Sequence, residues 1–279
     1  MTTARLSART PDALPPIGAS HDLVRRYSRA RRNVLPRAEP VTAVTGRWAH
    51  EAVLRSGGSV EAVLWCPGDE ADDVLERLAH DVAAVADRAH RVSERTLARL
   101  HPEASAPALL SLVRVPRWSA AEVLTPEARL VLVADGIEYA GNLGTLIRTA
   151  DACAADALVV TRATARVTHP TAFVASRGTV LTLPVLEYAS VAAARADLDA
   201  AGFTAFVADP AGATPYRVAG LGSGRTALVV GSEGDGVCSA WTDGATRVAI
   251  PMLGRADSLN VAASAAVLLF EARAAQDGW

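Results

Sequence analysis

From residue 129 onward, short uninterrupted apolar runs alternate with stretches of helical composition, and this pattern narrows the fold more than any other. The runs are RLVLVADG, ALVVTR, VLTLPVL, FTAFVAD, TALVVGS and RVAIPM. A strand with one wet face alternates apolar and polar residues, whereas a strand apolar throughout has both faces covered. Helices between such strands act as crossovers, so the strands run parallel and their carboxyl ends gather at one edge. Open sheets of this kind bind ligands in the loops at that edge. The expected class is α/β, a mostly parallel sheet with helices on both faces.

Three loops at that edge are chemically unusual. The first is GNLGTLIRTADA (141–152), which follows an apolar run. It has neither the second glycine of a dinucleotide loop nor the Gly-Lys-Ser/Thr ending of a P-loop, and Arg148 lies inside the helix it opens. Read alone, Asn142 and Gly144 could be turn and capping residues. The second loop, VVGSEGDGV (229–237), is a poor phosphate cradle, because Glu233 and Asp235 repel an anion. Backbone groups beside carboxylates suit a neutral or cationic ligand rich in hydroxyls and amines. The third, IPMLGRADSLNVAASAAVLLFEA (250–272), offers Ser258 or Asn260 as the cap of a final helix. That helix is small-residue-rich and apolar nearly all round, as a buried or subunit-facing helix is.

The preceding residues form a separate α/β rhythm over 41–115. Strands VTAV, VEAVLW and ALLSLVRV alternate with helices RWAHEAVLRS, DEADDVLERLAHDVAAVA and SERTLARL. No catalytic cluster stands out in this module, and VPRWSAAEVLTPE (115–127) reads as a linker. The expected division is a basic N-terminal extension over 1–38, a small α/β domain over 39–116, a linker over 117–127 and a larger α/β domain over 128–279.

The net charge of −2 conceals an asymmetry: residues 1–38 hold eight arginines against two acids. In RRYSRARRNVLPR (25–37), Arg25, Arg29 and Arg32 would share one helix face, suited to neutralising phosphates. The bland alternative is a solvated basic tail. The three cysteines have no metal or redox spacing and the six histidines no HExxH pairing, so no metal is expected. No apolar stretch approaches the ~20 residues of a membrane span, and the N-terminus lacks the apolar core of a signal peptide. A cytoplasmic protein with reduced thiols is expected.

Taken in order, the three loops resemble the SpoU (TrmH) family of methyltransferases in the SPOUT superfamily. Asn142, Gly144 and Arg148 match its Asn-x-Gly-x-x-x-Arg; Gly231 and Glu233 match its Gly-x-Glu. Ile250–Met252 and Ser258–Val261 match its Ile-Pro-Met and Ser-Leu-Asn-Val. The segment ASRG (175–178) is similar to the thiostrepton- and nosiheptide-resistance rRNA methyltransferases, and the 41–115 module to ribosomal protein L30e.

The resemblance implies a C-terminal trefoil-knotted α/β fold that uses S-adenosyl-L-methionine, and a homodimer formed through that domain. It implies methylation of a ribose 2′-hydroxyl of rRNA, 23S above all, or of tRNA, in a housekeeping or an antibiotic-resistance role. Gly231, Ser232, Ile250, Pro251 and Leu259 would line the cofactor pocket. Asn142, Arg148, Glu233, Ser258 and Asn260 would carry the chemistry, with Arg177 and the Arg25/Arg29/Arg32 face on RNA. In the family the counterpart of Arg148 is often assigned as the base. A guanidinium with a pKa above ~12 is a poor proton acceptor, and stabilising an alkoxide and an adjacent phosphate fits it better. Two rival functions stand beside this one: a SPOUT-type methyltransferase acting on a small molecule, and a catalytically idle RNA-binding relative.

Overall fold

A computed structural model describes residues 11–69, 72–232 and 234–278. They cluster into two compact units, one taking in the chain to Val115 together with Thr168–Leu181, the other Pro116–Val167 and Thr182 onward.

Unit one contains, in chain order, α1 (Asp22–Arg31), β1 (Val41–Thr45), α2 (Arg47–Arg55), β2 (Val60–Cys66), α3 (Asp73–Val85), β3 (Ala86–Arg91), α4 (Glu94–Leu100) and β4 (Ala108–Arg114). Its sheet has the order β1-β4-β2-β3, antiparallel except between β2 and β3. Side-chain caps set the helix starts: Asp72 accepts from the Val74 and Leu75 N–H groups, and Ser93 from that of Thr96. The strand β3, sequence ADRAHR, has no apolar run and is absent from the periodicity reading; it is an edge strand with half its residues wet.

Within the basic N-terminal segment, the described stretch Asp22–Arg31 is not a tail. Leu23, Val24, Tyr27 and Ala30 of α1 are buried in one core with Leu97 and Leu100 of α4 and with alternate residues of β1, β2 and β4. Arg26 turns inward and grips the buried Glu61 through Nε (2.6 Å) and Nη2 (3.0 Å), also pairing with Glu39; Arg88 holds Glu61 from a third direction at 3.0 Å. Two guanidinium groups around one carboxylate offset the cost of burying it. Arg25, Arg29 and Arg32 remain exposed on the outer face of α1, as their spacing requires.

Unit two comprises α5 (Ala120–Val123), β5 (Leu130–Asp135), α6 (Ala140–Ala152), β6 (Ala157–Thr161), then, after α7 (Pro170–Ala175) of unit one, β7 (Val185–Tyr188), α8 (Val191–Ala200), β8 (Thr204–Ala208), β9 (Thr214–Pro215), β10 (Thr226–Gly231), α9 (Ser239–Thr242), β11 (Thr246–Ala249) and α10 (Val261–Asp277). Its seven strands run in the order β7-β6-β5-β10-β8-β11-β9, every pair parallel. Along β5, Val131 and Val133 enter a core with α8 and α9 residues such as Leu198 and Trp241. Leu130 and Leu132 point to the other face and are equally buried. The run apolar at every position therefore reflects two covered faces.

Three expectations need adjusting. The linker carries α5, closed by a reciprocal Ser119/Glu122 capping box, and packs with unit two through Val123. VLTLPVL is not one strand: Thr179–Leu181 is a 3-10 turn and the strand starts later, at Val185, beyond Pro184, which has no N–H to give a ladder. Residues 168–181, assigned from sequence to the second half, pack with unit one.

One buried histidine makes the stability of unit one depend on pH. His50 is fully buried; its Nδ1–H donates to the Gly46 carbonyl (2.8 Å) and its Nε2 accepts from the Ser111 hydroxyl (2.9 Å), which fixes the neutral ring. Burial pushes its pKa down to about 4. The unfolded chain binds this proton below pH ~6.5 while the folded chain does not, so stability should fall between pH ~6.5 and ~4 by up to about 3 kcal/mol. Urea unfolding of wild type and His50→Gln at pH 7 and pH 4.5 checks this: the variant is expected to lose less stability on acidification.

Candidate functional site

The carboxyl ends of β5, β6 and β10 lie side by side, with Gly231 in register beside Asp135 and Asp135 beside Thr161. After Gly231 the chain makes a tight turn. The Gly236 N–H donates to the Ser232 carbonyl (3.0 Å) and the Asp235 N–H to the Ser232 hydroxyl (3.1 Å). A Cβ on Gly231 would collide with the Gly236 carbonyl, so the turn requires glycine there.

A cavity of about 500 Å³ opens at this turn. Of the expected cofactor residues, Gly231, Ser232, Ile250 and Leu259 line it, and so does Ser258; Pro251 is exposed and outside the lining. The walls combine apolar surface from Val230, Val237 and Met252 with Asp209, Asp235 and Asp257. Such a wall repels phosphate and accepts hydrogen bonds from hydroxyl and amino groups, and its size is that of a small-molecule site.

The other expected residues fall around this cavity in different ways. Asn260 caps α10, its Oδ1 accepting from the Ala262 N–H (2.9 Å), and its Nδ2 reaches Asn142 Oδ1 at 3.4 Å. This contact links the first and third loops across 118 residues of sequence. Asn142 and Gly144 are not caps: α6 begins at Ala140, and Tyr139 occupies its N-cap position without a side-chain bond. Arg148 stands on the exposed face of α6, outside the cavity lining, while Leu146, Ile147 and Ala150 bury the helix. Glu233 lies outside the described residues.

Arg177 belongs to unit one. It has a left-handed backbone (φ 55°), and its guanidinium lies 4.2 Å above the Trp48 ring, which stacks in turn on Phe173. A planar cation on an aromatic face keeps its N–H edge open to a further partner. On α4, packed beside α1, Arg95 and Arg99 are exposed one helical turn apart. Their spacing puts them on one face of α4, and α4 packs beside α1, the helix that carries Arg25 and Arg29. Arg25 itself is partly neutralised by Asp22.

Asp135 and Arg162 were missed by motif reading. Asp135 is fully buried at the end of β5, and Arg162 holds it with two bonds of 2.9 Å. Asp135 ends an ordinary apolar run, and no local pattern links it to an arginine 27 residues on. Among the described residues, no group of three or more His, Cys, Asp or Glu side chains is arranged to hold a metal ion. No helix there is long and apolar enough to cross a membrane.

Comparison with known proteins gives this geometry a context. The SpoU rRNA Methylase family model matches residues 129–270. An uncharacterized tRNA/rRNA methyltransferase of Mycobacterium bovis is 33% identical over 205 residues, which are 72% of this chain and 71% of that protein. The 23S rRNA (guanosine(2553)-2′-O)-methyltransferase RlmP of Bacillus subtilis is 35% identical over 147 residues, 52% of this chain. That match spans little more than half of the Bacillus protein, 58% of its length. The crystal structure of the SpoU methyltransferase AviRb from Streptomyces viridochromogenes, in complex with AdoMet, superposes with a TM-score of 0.77 at 25% identity, covering 91% of this chain and 97% of that one.

Proposed function

The chain belongs to the SpoU rRNA Methylase family, and from that premise we propose that it methylates a ribose 2′-hydroxyl of RNA, with 23S rRNA as substrate. The carrying observation is the meeting of the three loop segments at one sheet edge: Gly231, Ile250 and Ser258 around one cavity, and Asn142 against Asn260. The 2′-O chemistry and the 23S rRNA come by similarity to RlmP.

S-adenosyl-L-methionine, the ligand of the AviRb complex, supplies an electrophilic methyl group when bound. The cavity fits it: the turn at Gly231 leaves no room for a side chain, and the acidic walls suit a sulfonium, an amine and ribose hydroxyls. Gly231, Ser232, Ile250, Leu259 and, at the rim, Pro251 would hold it. A ribose hydroxyl is a weak nucleophile until its proton leaves or its oxygen is polarised. The Arg148 guanidinium would stabilise the developing alkoxide and fix the neighbouring phosphate. Asn142, Ser258 and Asn260 would orient the hydroxyl and the loops, with Glu233 as their acidic partner.

In this reading the 39–116 module is an L30e-like RNA-binding domain working in the cytoplasm, with Arg177 and the Arg25/Arg29/Arg32 surface on the RNA. The segment between β10 and α10 would form the trefoil knot; β10 between β5 and β8, and α10 folded back on α6 and β10, support that path. The protein would be a homodimer through unit two. One side of α10 is buried by Ala265, Leu268, Leu269 and Ala272, whereas Ala263 and Phe270 are exposed on the other and Val267 is half-buried, an apolar strip suited to a second copy.

Incubating the protein with labelled cofactor and separate 23S rRNA, tRNA and small-molecule pools tests the function; label confined to the small-molecule pool would overturn it. Arg148→Ala should lower the methylation rate by ~10²-fold or more, with melting temperature and cofactor affinity nearly unchanged because the side chain is exposed. Arg148→Lys should restore little, since an ammonium lacks the planar fork. Replacing Arg25, Arg29 and Arg32 together by Ala should reduce the slope of log K for RNA against log salt by about 2, at 0.7–0.9 per lost phosphate contact. Truncating the segment would be a poor test, because α1 is part of the core. Phe270→Glu should convert the dimer to monomer in sedimentation, placing a charge where an apolar interface is expected.

A further inference from the structure

Asp135 has four donors and no contact with solvent. Its Oδ1 accepts from the Thr161 hydroxyl (2.8 Å) and Arg162 Nε (2.9 Å); its Oδ2 accepts from Arg162 Nη2 (2.9 Å) and the Cys238 backbone N–H (2.8 Å). Trp241 Nε1–H donates to Thr161 Oγ1 at 3.4 Å, leaving the threonine proton for the carboxylate. Arg162 has a left-handed backbone (φ 52°), a conformation that costs a non-glycine residue and marks a constrained place. Its guanidinium crosses over Gly136, where a Cβ would come within 3.2 Å of Nη2 and 3.9 Å of the Ser232 Cβ.

The partners of Asp135 identify what the cluster holds. The turn lining the cavity leaves the sheet at Gly231, in register with Asp135, and its far end is the Cys238 N–H bonded to the same carboxylate. Both ends of the turn are thus tied to one residue, and Ser232, Gly236 and Val237 between them face the cavity. We propose that Asp135 and Arg162 are positioning residues for the cofactor: their bidentate pair clamps the Gly231–Cys238 turn in its binding shape, without touching the ligand or the reacting atoms. This rests on the cavity being the S-adenosylmethionine site.

The clamp separates cofactor affinity from catalysis. Without the guanidinium, Asp135 keeps the Thr161 and Cys238 donors but loses the cation that fixes it, and the turn loosens. Arg162→Ala should raise the Kd for S-adenosylhomocysteine in calorimetry, and the KM for S-adenosylmethionine, at least 10-fold, while kcat at saturating cofactor and RNA affinity stay within about 3-fold. Arg162→Lys should recover part of the loss, because an ammonium can hold one carboxylate oxygen. An unchanged Kd in Arg162→Ala, or a parallel fall of cofactor affinity, kcat, RNA affinity and melting temperature, overturns the proposal. Hydrogen exchange of the ligand-free wild type guards against a variant that does not fold. The Cys238 amide should be as protected as those of β5, and exchange at the rate of an exposed loop overturns the clamp. Wild type that fails to bind S-adenosylhomocysteine overturns the cofactor reading itself, a result distinct from wild type and Arg162→Ala binding equally.

Discussion

A parallel sheet covered on both faces cannot return its chain by hairpins, and the functional geometry of this protein depends on that constraint. Every strand of unit two must be reached by a crossover, so every carboxyl end points to the same edge. The loops after β5, β10 and β11 are therefore neighbours in space while lying up to 118 residues apart in sequence, as the Asn142–Asn260 contact records. The apolar runs that demand burial on two sides thus also assemble a polar site at one rim.

At that rim the sheet must end in water without losing its order, and Asp135 meets this need. A carboxylate buried in full is costly unless every lone pair is used. Here a hydroxyl, a backbone amide and a bidentate guanidinium use them all. The same economy appears in unit one, where Glu61 is wrapped by Arg26 and Arg88. The arginines divide accordingly: Arg26 and Arg162 neutralise buried acids, whereas Arg29, Arg32, Arg95, Arg99 and Arg148 face solvent. Exposed arginines of this kind, Arg25 and Arg177 among them, are available to a polyanion.

The family reading joins these features to one chemistry. The acidic, glycine-shaped turn at Gly231 suits a sulfonium ligand, and the basic outer layer of α1 and α4 suits RNA. Arg148 lies outside the cavity lining, as a group acting on the RNA side of the reaction would. The small-molecule alternative leaves the exposed arginines of unit one without a role.

The sequence by itself determined the class of unit two, most of its strands, the three loops and, of the residues lining the cavity, Gly231, Ser232, Ile250, Ser258 and Leu259, because apolar periodicity and local motifs are written over short spans. It also placed Arg25, Arg29 and Arg32 on one helix face. It could not reveal β3, whose residues ADRAHR carry charge because an edge strand is half wet, nor that VLTLPVL breaks into a turn before Pro184. Tertiary structure alone decided that the basic segment is a core helix, since the burial of Leu23 and Tyr27 depends on α4 and the sheet arriving beneath them. It alone assigned 168–181 to unit one and paired Asp135 with Arg162. Those contacts form between residues far apart in the chain, and the identity of a residue carries no record of which distant neighbour the packing will bring to it.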